Sequence, residues 1–398
     1  MRMRILCVFG RHNYGDPARG EGVEYSQFIP ALEALGHQVA FFESFSRAGY
    51  ESFDELNRAL LKRVEVERPE VVLTVLMMAE VWLETIALMR ATGVKVVNWS
   101  TDDSWKYPQF SRLIAKDFDA FATTCPDAPA WYARDGIAHC IATQWAAAAR
   151  DLAAPLPAAQ CSLDVSFIGS CYGERAARVE SLRAAGIAVE CFGYGWPNGP
   201  VDAIRMRAIM RESRVSLNFS EGGGGVGRQI KARVFEVPGA GGLLVTESAP
   251  HLERYFEPGR EIGEFGDDRQ LIDMVRSLLD DPSRRDAMAR AGHARVQREH
   301  TYEHRLAALL DALTSTPVLR ERRDVDWGRF ELAVRQHRCT AWLRALRAIL
   351  VGVASLIWGR SRGPRAARRM LFELCWRVSG RRTYTAAGLP GRLFYRES

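Results

Sequence analysis

RVFEVPGAGGLLVTE, residues 233–247, joins a carboxylate, a loop of four small residues and an apolar run. Glu236 comes first, Gly239, Ala240, Gly241 and Gly242 follow, and Leu243–Val245 opens a strand. A strand apolar on both faces belongs inside a parallel sheet covered by helices. The carboxylate can accept two sugar hydroxyls, and glycine lets main chain come close to a ligand. The plain alternative is a solvated helix glutamate followed by turn glycines.

The same rhythm extends outward in both directions. Upstream, LDVSFIGS (163–170) reads as a strand, GERAARVESLRAAG as a helix and IAVECFGYG as a strand. IRMRAIMRESRVSLNFS then reads as a helix running into a strand, and two or three amphipathic helices lie downstream of residue 266. Residues 1–150 repeat the pattern. RILCVFG (4–10), QVAFFES (38–44), EVVLTVLM, VKVVNWST and FDAFATT read as strands. Between them lie YSQFIPALEALGH and a helix capped by Ser52 and stopped at Pro69. Strand and helix in alternation predict α/β architecture with parallel, doubly wound sheets. AAAARDLAAPLPAAQC (146–161) breaks the rhythm. The predicted organisation is therefore domain 1–150, linker 151–162, domain 163–315 and a basic helical tail 316–398. Ligands of wound sheets gather at the carboxyl ends of the strands, which favours a two-substrate enzyme with one substrate per domain.

Bulk properties suit an ordinary globular chain of 398 residues, 47% apolar and 26% charged. Its eight cysteines show no C-x-x-C or zinc-ligand spacing, so buried thiols in a reducing compartment are expected. The apolar run behind the first arginines is too short for a signal-peptide core. These features predict a cytoplasmic protein. Residues 318–398 hold 18 arginines and six acids, so the chain's net +6 conceals a +12 tail on a −6 body. Such a tail points to an anionic partner.

The second half resembles the GT-B glycosyltransferases, and most closely the CgeB-like branch of the group-1 glycosyltransferases. The resemblance rests on FIGSCYGERAARVESL (167–182), VSLNFS (215–220), RVFEVPGAGGLLVTE (233–247), FEPGREIGEFGDDRQLIDMVRSLLDDP (256–282) and HTYEHRLAALL (300–310). It implies two Rossmann-like domains, the second binding a nucleoside diphosphate sugar, with no cofactor and no bound metal. It also implies that Glu236 accepts ribose hydroxyls while Gly239–Gly242 admit the nucleotide. Retaining enzymes of this clan carry another glutamate eight positions earlier, where this chain has Arg228. That departure leaves stereochemistry and sugar type open.

SEGGGGVGRQIKAR (220–233) sets Arg228, Lys231 and Arg233 beside a run of free amides, a combination suited to a diphosphate. It is not a Walker A loop, since no G-K-[ST] closes it, and a plain glycine linker remains the alternative. Arg175 is a further phosphate candidate by family position. On the acceptor side, GRHNYGDPARGEG (10–22) offers His12, histidine being the side-chain type best suited to take a proton near neutral pH. NWSTDDSWKYP (98–108) offers Asp102 and Asp103 behind an apolar strand and among aromatics. Either could deprotonate an acceptor hydroxyl, or the pair could cap the next helix.

AWLRALRAILVGVASLIWGRSRGPRAARRMLFELCWRVSGRR (341–382) mixes tryptophan, leucine and arginine. Its uncharged run of 12, Ala348–Gly359, falls short of the roughly 20 residues that span a bilayer. Two readings stand: an amphipathic segment on an anionic membrane, at the inner face if the protein is cytoplasmic, or helices packed on the body. No nucleic-acid motif accompanies the arginines. The expected activity is transfer of a hexosyl-type sugar to a glycan, lipid-linked or small-molecule acceptor, in bacterial glycan biosynthesis. A nucleotide-sugar epimerase and a non-catalytic nucleotide-sugar binder are the rivals.

Overall fold

The computed structural model describes residues 2–222, 227–315 and 321–398. The chain forms two compact units, Met1–Thr143 with Leu309–Ser398, and Gln144–Ala308.

Unit 1 holds a six-stranded sheet. Its strands are β1 (Arg4–Phe9), β2 (Gln38–Glu43), β3 (Val71–Thr74), β4 (Lys95–Ser100), β5 (Ala120–Thr123) and β6 (Cys140–Ala142). All pair in parallel, in the order β2-β1-β3-β4-β5-β6. The helices among them are α1 (Ile29–Ala34), α2 (Phe53–Glu67), α3 (Leu83–Ala91), α4 (Asp103–Lys106), α5 (Ser111–Ile114) and α6 (Ala128–Arg134). Local chemistry explains α2. The Ser52 hydroxyl accepts from the Glu55 amide, Leu56, Leu60, Leu61 and Val64 line its buried face, and Arg68 ends it in the left-handed conformation before Pro69. Every residue of β3 is buried, as expected of an interior parallel strand.

Unit 2 holds a five-stranded parallel sheet in the order β11-β10-β9-β7-β8. It comprises β7 (Leu163–Ile168), α7 (Arg175–Ala184), β8 (Val189–Phe192), α8 (Ala203–Glu212), β9 (Ser213–Asn218), α9 (Arg233–Gly239), β10 (Leu244–Glu247), β11 (Gly263–Phe265), α10 (Asp268–Asp280) and α11 (Pro282–Glu299). In both sheets the winding direction reverses beside the first strand, between β1 and β3 and between β7 and β9. Such switch points open a crevice at the carboxyl ends.

Two expected boundaries move. The predicted linker belongs to unit 2. The Ala147 amide donates to the His300 carbonyl, the Ala153 amide to the Gly239 carbonyl, and the Ala158 amide to the Asp286 carboxylate. Fully buried Arg285 donates to the carbonyls of Leu156, Ser213 and Arg214, tying that stretch to the sheet. The predicted tail is no separate tail. After α12 (Tyr302–Thr314) come α13 (Trp327–His337), α14 (Ala341–Trp358), α15 (Gly363–Ser379) and α16 (Leu389–Leu393). Their side chains enter the core of unit 1. Phe330 stacks on Trp82 at 6.1 Å and Tyr395 meets Phe53 edge-on at 4.8 Å. The aromatic payload of these contacts makes the C-terminal helices part of the domain.

Candidate functional site

The carboxyl end of β7 is crowded with arginine. Arg175 opens α7 and is 4% exposed. Its guanidinium donates to the Ser170 carbonyl at 3.0 Å and the Tyr172 hydroxyl at 2.7 Å, and covers the Tyr172 ring at 3.8 Å. Arg233 opens α9. A Cβ on Gly169, just after β7, would lie 3.4 Å from Arg175 Nη1 and 3.5 Å from Arg233 Cζ, so both guanidinia crowd one point of main chain. Among the described residues no carboxylate forms an ion pair with either. Burial depresses the pKa of both; Arg233 lowers that of Arg175 further, while Glu221 acts to raise Arg175 and Glu236 to raise Arg233. The Nε atoms of both are buried without a hydrogen-bond partner. Two largely desolvated guanidinia at one point, with Glu236 and Glu221 near them but in ion-pair contact with neither, suit an anionic ligand.

Glu236 stands one turn beyond Arg233 on α9. It is half-buried, and burial raises its pKa while Arg233 and Arg207 pull it back. No side-chain or backbone donor satisfies its carboxylate among the described residues. An acceptor left open beside an arginine pair suits ligand hydroxyls.

The remaining arginines of this crevice are committed differently. Glu247, at the end of β10 and 3% exposed, pairs with Arg178 at 2.9 Å and Arg228 at 3.2 Å, and accepts from the Ser220 amide at 2.9 Å. Arg228 also reaches the Gly266 carbonyl at 3.4 Å, and Lys231 donates to Gln229 Oε1 at 2.8 Å. Arg228 nevertheless lines, with Arg175, Arg178, Glu221 and Glu247, a pocket of about 290 Å³ at the β7/β9 switch. Arg178, Glu221 and Glu247 are not singled out by the sequence, where nothing in ERAARVESL or LLVTE announces the Arg178–Glu247 ion pair. Residues 223–226 of the glycine loop lie outside the described residues.

The glycines after Glu236 serve packing. A Cβ on Gly239 would lie 2.6 Å from Ala147 Cβ, on Gly241 2.5 Å from the Ala153 carbonyl, and on Gly242 2.3 Å from the Met210 carbonyl. Ala240 is buried with them. Their smallness is explained by the chain of unit 2 itself, and only Gly241 has a positive φ, +86°.

In unit 1, Asp103 is 1% exposed and fully spent. Its carboxylate accepts from Ser100, Ser111 and Tyr132 hydroxyls at 2.6, 2.5 and 2.9 Å, so it braces the core and is not free to serve as a base. Asp102 is partly exposed and pairs with Lys106 at 3.2 Å. Beside it stands Glu24, in a π-helical turn after the first loop; burial and then Asp102 raise its pKa, while Lys106 opposes. A π-turn and a carboxylate pair were not legible in EYSQF. His12 lies in a zipped loop, bridged to Glu21 while Arg11 pairs with Glu21 at 3.1 Å. Among the described residues no cluster of three or more His, Cys, Asp or Glu is placed to hold a metal ion.

Two wound parallel sheets with flanking helices, and helices closing the chain, define the GT-B fold. Solved structures agree. Sucrose-phosphate synthase of Thermosynechococcus elongatus superposes with TM-score 0.55 at 13% identity, over 79% of this chain and 100% of that one. Anabaena HepE, solved with UDP and glucose, gives 0.54 at 12%, over 79% and 100%. An epimerase-described protein of Listeria monocytogenes, a UDP-N-acetylglucosamine 2-epimerase by name, gives 0.50 at 14%, over 81% and 99%. At these identities the likeness is one of fold. More particularly, residues 175–311 match a family model described as glycosyl transferase-like. No curated protein matches the chain.

Proposed function

We propose that the protein is a glycosyltransferase that moves a sugar from a nucleoside diphosphate to an acceptor hydroxyl. The observation that carries this reading is the buried pair Arg175 and Arg233, in ion-pair contact with no carboxylate among the described residues, with the acceptor Glu236 open beside it, inside the glycosyl transferase-like region. Arg175 and Arg233 would hold the diphosphate, whose charge grows as the sugar leaves. Glu236 would accept ribose hydroxyls. Arg228 would reach the same group once Glu247 shares it, and Lys231 would add charge at the rim. On unit 1, Asp102 or Glu24 would take the acceptor proton, with His12 a further candidate; a base there fits direct displacement with inversion. Guanidinium groups, with the Lys231 ammonium at the rim, would meet the charge of the leaving diphosphate, so the reading calls for no metal. The sequence resemblance favours the CgeB-like branch and a hexosyl donor used in bacterial glycan assembly.

HepE is solved with UDP-glucose, which makes uridine diphosphate the first nucleotide to try. Thermal-shift titration with UDP, GDP, dTDP and their sugars is the test. A ligand at a hundred times its Kd stabilises by about 2.7 kcal/mol. One base is expected to stand out, and Glu236→Gln is expected to lose most of the shift. No shift with any nucleotide at millimolar concentration would overturn the reading. Epimerisation is the second reading, favoured by the Listeria fold match. Isomerised donor formed without acceptor would establish it instead.

A further inference from the structure

The chain's exposed apolar surface is concentrated in one place. Of sixteen large hydrophobic side chains exposed among the described residues, nine lie on α14 and α15. The two helices form a hairpin joined by Gly359–Arg362, and a Cβ on Gly363 would strike Ser355, so their backbones nearly touch at the turn. Inside the hairpin, Leu343, Ala354, Ala367, Leu371 and Cys375 share a small core with Leu393 and Phe394. Outside, Ile349, Val353 and Leu356 follow one helical stripe on α14, and Met370, Leu374 and Val378 follow another on α15. Leu356, 89% exposed, stands at the turn beside Ile357 and Trp358.

Charge surrounds this patch on one side of neutrality only. Residues 341–379 contain eight arginines and a single acid, Glu373. Arg360, Arg362 and Arg365, all exposed, collar the apolar turn. A neutral protein partner would answer the leucines but not the arginines, and a nucleic acid would answer the arginines but not the leucines. An anionic lipid leaflet answers both. We propose that the 341–379 hairpin docks its turn into the headgroup boundary of an anionic bilayer.

Docking is superficial, because the hairpin cannot enter whole. Helix α14 is 18 residues, 11% buried, and long and apolar enough by length and composition to cross a membrane. That exceeds the uncharged run of 12 that argued against a span. Its length is about 27 Å at 1.5 Å per residue. But it is packed to α15, which carries Arg365, Arg368, Arg369, Glu373 and Arg377. Taking those charges into hydrocarbon costs several kcal/mol each on the order of insertion scales. The hairpin is also fixed to the sheet, since the Arg368 guanidinium rests against Met78 sulfur in the loop after β3.

Full-length protein is mixed with phosphatidylcholine vesicles, with and without phosphatidylglycerol, and sedimented. Binding is expected only with the anionic lipid and is expected to weaken with added salt. The double variant L356D/I357D alters two exposed side chains, so its melting temperature should match the wild type while binding falls by about tenfold or more. The triple variant R360E/R362E/R365E should lose binding as well. No binding by the wild type, or unchanged binding by L356D/I357D, would overturn the proposal. So would a lipid-free dimer that the double variant converts to monomer, which would make the patch an interface between copies of this chain.

Discussion

At the scale of single residues, what matters is which charges have been left without a partner. Glu247 and Asp103 are buried carboxylates at the carboxyl ends of the two sheets, and both are satisfied. The Glu236 carboxylate accepts no hydrogen bond among the described residues, and the Nε atoms of Arg175 and Arg233 are buried with no acceptor. Satisfied buried groups hold a fold together, whereas unsatisfied ones await a ligand. Arg233→Ala is therefore expected to weaken nucleoside diphosphate binding by about 10- to 100-fold, since a charge-assisted hydrogen bond contributes about 1.5–3 kcal/mol. The nucleoside without phosphates should bind Arg233→Ala as it binds the wild type, and equilibrium titration checks both. Glu236→Gln should do the converse, weakening nucleoside and diphosphate alike. The sequence names Glu236 and Arg175 because their neighbours resemble a known pattern. It cannot separate Asp102 from Asp103, because adjacent letters look the same while their side chains point to solvent and to core. Asp103→Asn is expected to lower stability with little specific effect on transfer. Asp102→Asn is expected to lower kcat and leave the melting temperature nearly unchanged.

At the scale of elements, the apolar runs that predicted β1, β3, β4, β7 and β9 are those buried on both faces, so the code is simple there. β6 and β11 have three residues each and no run to see. The loop after α9 was legible as special but not for its reason. Gly242 is needed because the Met210 carbonyl occupies the place of a Cβ. Gly242→Ala should cost on the order of 1–3 kcal/mol, the usual toll of overpacking, read in a denaturant melt. The junction of α11 with α12 carries a second element-level device. His300, 4% exposed, meets the Tyr255 carbonyl through Nε2 at 2.8 Å, and Arg305 donates to its Nδ1 at 2.9 Å. Burial, with Arg305 and Arg295 nearby, lowers its pKa from 6.5 to about 4, against the Tyr255 carbonyl and Glu299. The folded state thus prefers neutral imidazole. Its contribution is complete above pH 6.5 and is lost as pH falls toward 4, a loss of about 3 kcal/mol from that shift. Wild-type melting temperature should drop across that window. His300→Gln should start lower at neutral pH and show a flatter profile.

At the scale of the whole chain, the division into units decides what can be removed. Unit 1 is discontinuous, closed by Leu309–Ser398, while unit 2 is one uninterrupted stretch, Gln144–Ala308. Unit 1 needs the closing segment. Phe330, Ala333, Tyr384 and Tyr395 are buried in the same cluster as Leu6, Phe53 and Trp82. The Ala386 amide donates to Glu84, and His337 Nδ1 meets the Ala386 carbonyl at 3.0 Å. Each large core side chain is worth about 3–5 kcal/mol when lost, and a domain holds only about 5–15. A chain ending at residue 308 should therefore lose the cooperative unfolding transition of unit 1. Unit 2 keeps its own cores around Val165, Leu217 and Val245 on one face and Phe235, Leu244 and Ile262 on the other. Residues 144–308 expressed alone should unfold in one transition, and a nucleoside diphosphate that binds should raise it. In the full chain the same ligand should shift the unit 2 transition and leave that of unit 1 in place. Calorimetry of the three species distinguishes these outcomes. A single transition of the full chain, shifted whole by nucleotide, would mean that the units unfold together and that the arginine pair is not housed in an autonomous domain.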